Sequence, residues 1–270
     1  MTDKELVMLR KSVRTYDGNA LSEEDKKRIT DYMSQCTDPY DIPVEYRLLD
    51  AKEYGLTSPV IADAKTYIAG KLRRTAHAEE AFGYSFEKLL LYACSIGLGN
   101  VIIGGTMNRD AFEKAMELGS DEVMPCVSPL GRAADKRSVK ESLMRKGIRA
   151  DSRLKDTELF FTDSFDRPVT ETEVGELKDA YEMVRWAPSA VNKQPWRLVR
   201  IGDKMHFYEK KSRGYIDATG FDMQKIDMGI ALYHFELGAK AAGFTPVFEI
   251  NEPDLIHPAD TEYIATYIIN

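Results

Sequence analysis

Residues 165–199 read FDRPVTETEVGELKDAYEMVRWAPSAVNKQPWRLV, and residues 16–50 read YDGNALSEEDKKRITDYMSQCTDPYDIPVEYRLLD. Both open on an aromatic residue followed by Asp. Each then sets an aliphatic residue and a hydroxyl before an acidic run, Leu21-Ser22 in one and Val169-Thr170 in the other. That is the pattern of a helix N-cap. Each continues as an amphipathic helix and ends on an aromatic–Arg–Leu strand entry. Asp166 stands 149 positions after Asp17 (166 − 17), and Arg197 stands 150 after Arg47 (197 − 47). A second matched pair lies further along: FEKLLLYACSIGLGNVIIGG from Phe86 and IALYHFELGAKAAGFTPVFEI from Ile230. Each reads as an apolar helix with small residues, a Gly turn and a β-rich run, and Gly243 stands 146 positions after Gly97 (243 − 97). Two segments in the same order at nearly one offset identify an internal duplication. Ala93, Gly238 and Ala239 would let helices approach closely.

The chain is therefore expected to be two homologous α+β halves, residues 1–155 and 156–270, with their junction near 150–160. No Gly/Ser linker separates them, so the halves are expected to be intertwined. Further strands are expected at 64–71, 123–131 and 204–211. The basic stretch 137–156 has no counterpart in the second half and reads as an extended or helical arm.

Bulk properties narrow the function. The 270 residues are 43% hydrophobic and 30% charged, ordinary for a soluble globular protein. Acids outnumber bases by 44 to 37, giving −7, which argues against a general nucleic-acid binder. No apolar run approaches a membrane span, and the start MTDKELVMLRKSVR does not read as a signal peptide. The cysteines Cys36, Cys94 and Cys126 are few and scattered, which predicts a reducing, cytoplasmic compartment. The four histidines show no metal-ligand spacing, so no metal site is expected.

Chemistry concentrates in two places. RKSVR (10–14), if extended, presents Arg10, Ser12 and Arg14 on one face, with Lys11 on the other. Two forked cations and a hydroxyl suit a phosphate dianion; a solvated basic tail is the plainer alternative. At the repeat offset these three positions become Leu159, Phe161 and Asp163, which cannot hold a phosphate. Conversely APSAVNKQPW (187–196) corresponds to CTDPYDIPVEY in the first half, where the small and amide residues are gone. Each half has kept one part of a site and lost the other.

RKSVR at 10–14, APSAVNKQPW at 187–196 and GLGNVIIGG at 97–105 together resemble the flavin-dependent nitroreductase family. The resemblance covers nearly the whole chain once it is read as two fused half-copies. It departs in one respect: the APS loop normally follows RxSxR by a few tens of residues, and here it comes in the second half. Ordinary members are intertwined homodimers with FMN at the interface, so the chain is similar to the single-chain, pseudo-dimeric type. The resemblance implies a nitroreductase-like fold and one FMN per chain. It assigns the phosphate to Arg10, Ser12 and Arg14, with Lys11 a weaker candidate. The ring would lie against Pro188, Ser189 and Ala190. Asn192 and Gln194 can serve its polar edge, although loop-internal hydrogen bonds account for both amides as well. Backbone amides of Ile103, Gly104 and Gly105 would lie near N5 and O4, unless those glycines serve only a tight turn. Gly97 and Gly99 read as helix C-cap and packing glycines. IRADSRLKD resembles the family's basic segment that closes on the phosphate, with Arg153 as candidate and Arg149 as substitute; either could be a surface charge.

The activity so implied is electron transfer from NAD(P)H, bound transiently over the flavin, through N5 to a small acceptor such as a nitroaromatic, a quinone or free flavin. No acid–base residue is nominated, and no Rossmann GxGxxG follows a strand. The alternatives are a non-catalytic FMN-binding protein and a scaffold that has lost the flavin. The expected state is a monomer acting as its own pseudo-dimer, with further self-association possible. Acceptor choice would depend on loops 106–122 and 209–224.

Overall fold

The computed structural model describes residues 1–216 and 221–270. In chain order its elements are α1 (Asp3–Leu9), α2 (Glu23–Met33), β1 (Glu45–Asp50), β2 (Thr66–Arg73), α3 (Ala78–Ser95), β3 (Gly99–Asn100), α4 (Arg109–Ala115), β4 (Glu122–Val123), β5 (Val127–Gly131) and α5 (Val139–Gly147). They continue as α6 (Asp156–Leu159), β6 (Phe160–Thr162), β7 (Ser164–Pro168), α7 (Glu171–Val174), α8 (Lys178–Trp186), β8 (Trp196–Ile201), β9 (Lys204–Lys210), α9 (Met223–Ala241), β10 (Pro246–Glu249) and β11 (Thr261–Ile269). The fold is nitroreductase-like α+β. The chain divides into two compact units, Leu9–Ala150 and Met1–Met8 with Asp151–Asn270.

The two units repeat one plan. In Leu9–Ala150, β2 pairs antiparallel with β1 on one side and β5 on the other, and α3 connects β2 towards β5. In the second unit β9 pairs antiparallel with β8 and β11, and α9 makes the same connection. The first sheet adds β3 beside β5, and β4 beside β2. The second extends to the order β10-β11-β9-β8-β6-β7, with β6 parallel to β8.

The connecting helices end identically. After α3, the Gly97 amide donates to Cys94 O and the Leu98 amide to Ala93 O, with Gly97 at φ +82°. After α9, the Gly243 amide donates to Lys240 O and the Phe244 amide to Ala239 O, with Gly243 at φ +91°. This is a Schellman C-cap, and glycine takes its left-handed position without steric penalty. The N-caps also match. Ser22 Oγ accepts from the Asp25 amide, and Thr170 forms a capping box with Glu173.

Several local expectations differ. The helix after Thr170 is not continuous: Gly175 turns at φ +53°, a 3-10 turn spans Gly175–Leu177, and α8 starts afresh. The strand expected over 123–131 splits into β4 and β5 around Met124-Pro125-Cys126, since Pro125 has no amide to give a ladder. Loop 106–122 contains α4, and stretch 137–156 holds α5 and the start of α6. Loop 209–224 runs from the end of β9 into α9, and its residues 217–220 lie outside the described residues.

The core of the first unit gathers Leu49, Tyr67, Val101, Phe112 and Met124, with Tyr67 and Phe112 edge to face at 5.1 Å. In the second, Phe207, Phe235 and Tyr267 pack with centroids 5.4 to 6.1 Å apart, and α9 lies on α8. A Cβ on Gly238 would stand 2.5 Å from Ala180 Cα, so the small residue expected to permit close helix approach does so against backbone. Gly238→Ala should therefore destabilise the protein by about 1–3 kcal/mol through overpacking, read as a lowered denaturant midpoint.

Candidate functional site

The segment 10–14 is held as extended backbone in the first unit. Ser12 bridges Asn100 in parallel, the Val13 amide donates to Asn100 O, and the Ala62 amide donates to Arg14 O. Val13 is buried against Gly99, where a Cβ would meet its side chain at 2.9 Å. Gly99 is thus a packing glycine, as expected. Lys11 is exposed, while Arg10, Ser12 and Arg14 are half-buried. Lys11 and Val13, which alternation would put on one face, differ, the first exposed and the second buried.

The charges on that face are partnered differently. Arg10 Nε lies 3.4 Å from Glu87 Oε1 on α3, and both side chains are buried. Arg14 Nε and Nη1 are buried and have no hydrogen-bond partner among the described residues. Burial pulls the Arg14 guanidinium below its ordinary range; Glu141 offsets this and Arg145 adds to it. Arg145 is the cation that sequence reasoning missed. It is buried on α5, one turn after Glu141. Glu141 accepts from Thr15 Oγ1 at 2.8 Å, and Thr15 Oγ1 in turn accepts from the Ser138 amide at 3.2 Å. Two contacts thus fasten α5 to the residue beside Arg14. The helix is turned inside out, with Glu141 and Arg145 buried while Val139 and Leu143 are 77% and 67% exposed. The i, i+4 acid–base pair inside 137–156 was the available signal. A reading that seeks an apolar inner face would rotate this helix the wrong way.

Residues 103–105 are pinned from behind. Ile103 exchanges both backbone hydrogen bonds with Val127, at 2.8 and 2.9 Å. Arg109 on α4 donates to Gly104 O at 2.6 Å and to Met124 O at 2.8 Å. A Cβ on Gly105 would meet no described atom within 4 Å, so its backbone lies open to approach.

The loop 187–196 belongs to the second unit and is an unusual piece of backbone. Val191, Asn192 and Gln194 are left-handed at φ 51°, 57° and 52°. Each costs on the order of 1–2 kcal/mol in an L-residue, and the β-branched Val191 is an outlier. The loop is over-determined by hydrogen bonds. Ser189 Oγ accepts from the Gln194 amide, and Ser189 O from the Asn192 amide. Gln194 is buried; its Oε1 accepts from the Leu154 amide at 2.9 Å and its Nε2 donates to Asn192 O at 3.3 Å. Its amide therefore makes one bond within the loop and one to segment 152–154, nearer to the structural use that the sequence favoured less for this residue. Asn192 Nδ2 donates to Ser152 O. Pro188, Ser189 and Ala190 stay partly exposed. Arg153 borders this loop, stacked over Trp186 at 4.4 Å and 3.5 Å from Asn192 Oδ1. Arg149 is exposed at φ 49°.

Beneath the loop lies a group of buried acids that the sequence did not disclose. Asp227 on α9 accepts the Ala190 amide at both carboxyl oxygens, 3.1 and 3.0 Å away. Glu209 is fully buried on β9, with neither oxygen hydrogen-bonded among the described residues. Its strand neighbours in register are Trp196 and Glu262. Burial pushes the Glu209 carboxyl up to about 8; Asp222 and Glu262 add to the effect, and Lys225 and Lys211 oppose it. Asp227 and Asp222 are raised too, chiefly by burial.

Among the described residues no three His, Cys, Asp or Glu side chains are grouped to hold a metal, and no helix is long and apolar enough to cross a membrane.

The family model described as "Putative TM nitroreductase" matches residues 4–239. The crystal structure of a protein described as a "putative nitroreductase" from Thermotoga maritima MSB8 aligns over 100% of this chain and 94% of its own, at 19% identity and a TM-score of 0.64. A Bacteroides thetaiotaomicron VPI-5482 structure named "NADH dehydrogenase/NAD(P)H nitroreductase" covers 50% of this chain and 88% of its own, at 21% identity and a TM-score of 0.42. An "FMN-dependent Nitroreductase" from Clostridium difficile R20291 covers 49% and 88%, at 14% identity and a TM-score of 0.40. A search of curated proteins gives no match.

Two predictions follow from the charges. Inorganic phosphate should raise the thermal midpoint of the wild-type protein and leave that of Arg14→Met unmoved. The second concerns Glu209, whose carboxyl titrates near 4.5 when unfolded and near 8 when folded. The folded state then holds the extra proton between those values, so this group makes stability fall as pH rises from about 4.5 to about 8 and contributes no slope above. Glu209→Gln should flatten that slope in denaturant midpoints measured across the window.

Proposed function

The chain belongs to the nitroreductase family, and from that premise we propose that it is an FMN-dependent oxidoreductase passing electrons from NAD(P)H to a small acceptor such as a nitroaromatic, a quinone or free flavin. The observation that carries the reading is Arg14. Glu141 offsets part of the charge, but two buried guanidinium nitrogens with no hydrogen-bond acceptor among the described residues, and a second guanidinium acting on them, are costly unless an acceptor completes them. A phosphate dianion has the oxygens and charge to do so. The donor set therefore fits the phosphate end of FMN.

In this reading Arg14, Arg145 and Ser12 hold the phosphate. Arg10 ties the same strand to Glu87 on α3, and Lys11 stands at the exposed edge. The Ile103 amide is spent on Val127 O, so Ile103 serves by fixing the backbone, and the amides of Gly104 and Gly105 follow it with Arg109 holding Gly104 O. Pro188, Ser189 and Ala190 offer small, partly exposed surface to a flat ring, with Asn192 and Gln194 setting the loop's shape and Arg153 bordering it. Assignment of both sets to one flavin rests on the complementary losses in the repeat, since each half retains what the other lacks. FMN, when bound, supplies the two-electron chemistry at N5. The protein binds and orients it, and no side chain is assigned a proton-transfer step. One chain then carries one site and works without a second copy, in a cytoplasmic setting.

The test is the visible spectrum and flavin content of the purified protein, followed by anaerobic mixing with NADH and with NADPH. The expected result is one FMN per chain, bleached by at least one donor and reoxidised by a quinone or nitroaromatic. Bound flavin that neither donor reduces would favour a non-catalytic FMN-binding protein, and two flavins per chain would refute the single-site reading.

A further inference from the structure

The loop Ser189–Gln194 contains three left-handed residues, none of them glycine. Such backbone persists only where its surroundings over-determine it. Most of its hydrogen bonds are made within the loop or to the neighbouring segment 152–154, which is irregular chain itself. Asp227 differs. It projects from the second turn of the 19-residue α9, which packs on α8 and on β8 and β9. Its carboxyl reaches the Ala190 amide with both oxygens.

That contact is the clue to why a carboxyl is there. Asp227 is 4% exposed, and the charged groups acting on it are two further buried acids, Glu209 and Asp222. Among the described residues no cation acts on it directly; Lys225 and Lys211 act on Glu209 and Asp222 and pair with Glu262. An apolar side chain of similar size would pack at lower cost in that position. Interior packing therefore does not call for an acid, and the Ala190 amide does. We propose that Asp227 is a positioning residue that locks the Ser189–Gln194 loop into its ligand-ready shape by holding the Ala190 amide to α9. Ala190 precedes the first left-handed residue, so fixing its amide sets the direction in which Val191 and Asn192 must turn. Burial, with Glu209 and Asp222 beside it, pushes the Asp227 carboxyl well up, so what the Ala190 amide meets is a buried carboxyl with no ion-pair partner among the described residues. The consequence for FMN rests on the function proposed above; the consequence for the loop does not.

The experiment uses the full chain as Asp227→Asn and Asp227→Val. Backbone amide exchange is followed across 187–194 and along α9, without ligand, and FMN affinity is measured separately. Asparagine keeps an acceptor oxygen, so Asp227→Asn should stay within about threefold of wild type in both readouts. Valine keeps the volume and removes the acceptor. It should speed exchange at Ala190 and its loop neighbours by about tenfold or more while sparing α9, and weaken FMN by about 10–100-fold, the scale of a backbone amide left without its acceptor. Unchanged loop exchange in Asp227→Val would overturn the proposal, as would equal opening of α9 and the loop, or failure of Asp227→Asn to rescue. If Asp227→Val does not fold, the wild type decides: the Ala190 amide must exchange more slowly than that of Val191. Absence of FMN binding in every form would sink the functional reading and leave the exchange result standing.

Discussion

Guanidinium nitrogens removed from water require hydrogen-bond acceptors, and Arg14 has none at Nε and Nη1 among the described residues, although the charge of Glu141 offsets part of the cost. Much of the first unit is arranged around keeping Arg14 there. The strand that carries it is bonded to Asn100 on one side and Ala62 on the other. Thr15, its neighbour in sequence, anchors Glu141 and Ser138, so α5 is held over the same place with Arg145 facing inward. The exposed Val139 and Leu143 are the geometric consequence: a helix of nine residues that turns its acid and base inward has only its outer face left for apolar side chains. Arg145 opposes the charge of Arg14 and Glu141 offsets it, which leaves the two unpartnered nitrogens as the unsatisfied part of the arrangement.

The second unit carries the opposite imbalance. Glu209, Asp222 and Asp227 are buried together, and burial raises all three carboxyls. One of these acids reaches the backbone of an irregular loop, and another has no hydrogen-bond partner among the described residues. The two units share a plan of three antiparallel strands and a long helix closed by the same Schellman cap, yet they have spent their polar interiors on different tasks. At the positions matching Arg10, Ser12 and Arg14 the second unit has Leu159, Phe161 and Asp163, and there Leu159 and Phe161 are core.

Periodic and capping features were legible in the sequence because they are local. Ser22, Thr170, Gly97 and Gly243 act within a few residues of themselves, and Gly238 is informative because a missing side chain in an apolar helix has few uses other than close packing. The family followed from three short motifs whose residues are small, forked or flexible for chemical reasons. The break at Gly175 and the division around Pro125 were visible as residues but not as events, since both amino acids are also tolerated at the edges of longer elements.

Sequence alone determined the duplication, the α+β class and the stretches 10–14, 97–105 and 187–196, because each depends on spacing along one chain. Tertiary structure alone decided which partners those stretches have. Arg10 is committed to Glu87, Arg14 is accompanied by Arg145, Gly104 is held by Arg109 and Ala190 by Asp227. Arg145 lies 131 positions from Arg14 (145 − 14), and Asp227 lies 37 from Ala190. Burial of charge is a property of three-dimensional neighbourhood and leaves no periodic trace in the chain, so the groups that shape the candidate site could be identified only after folding had placed them.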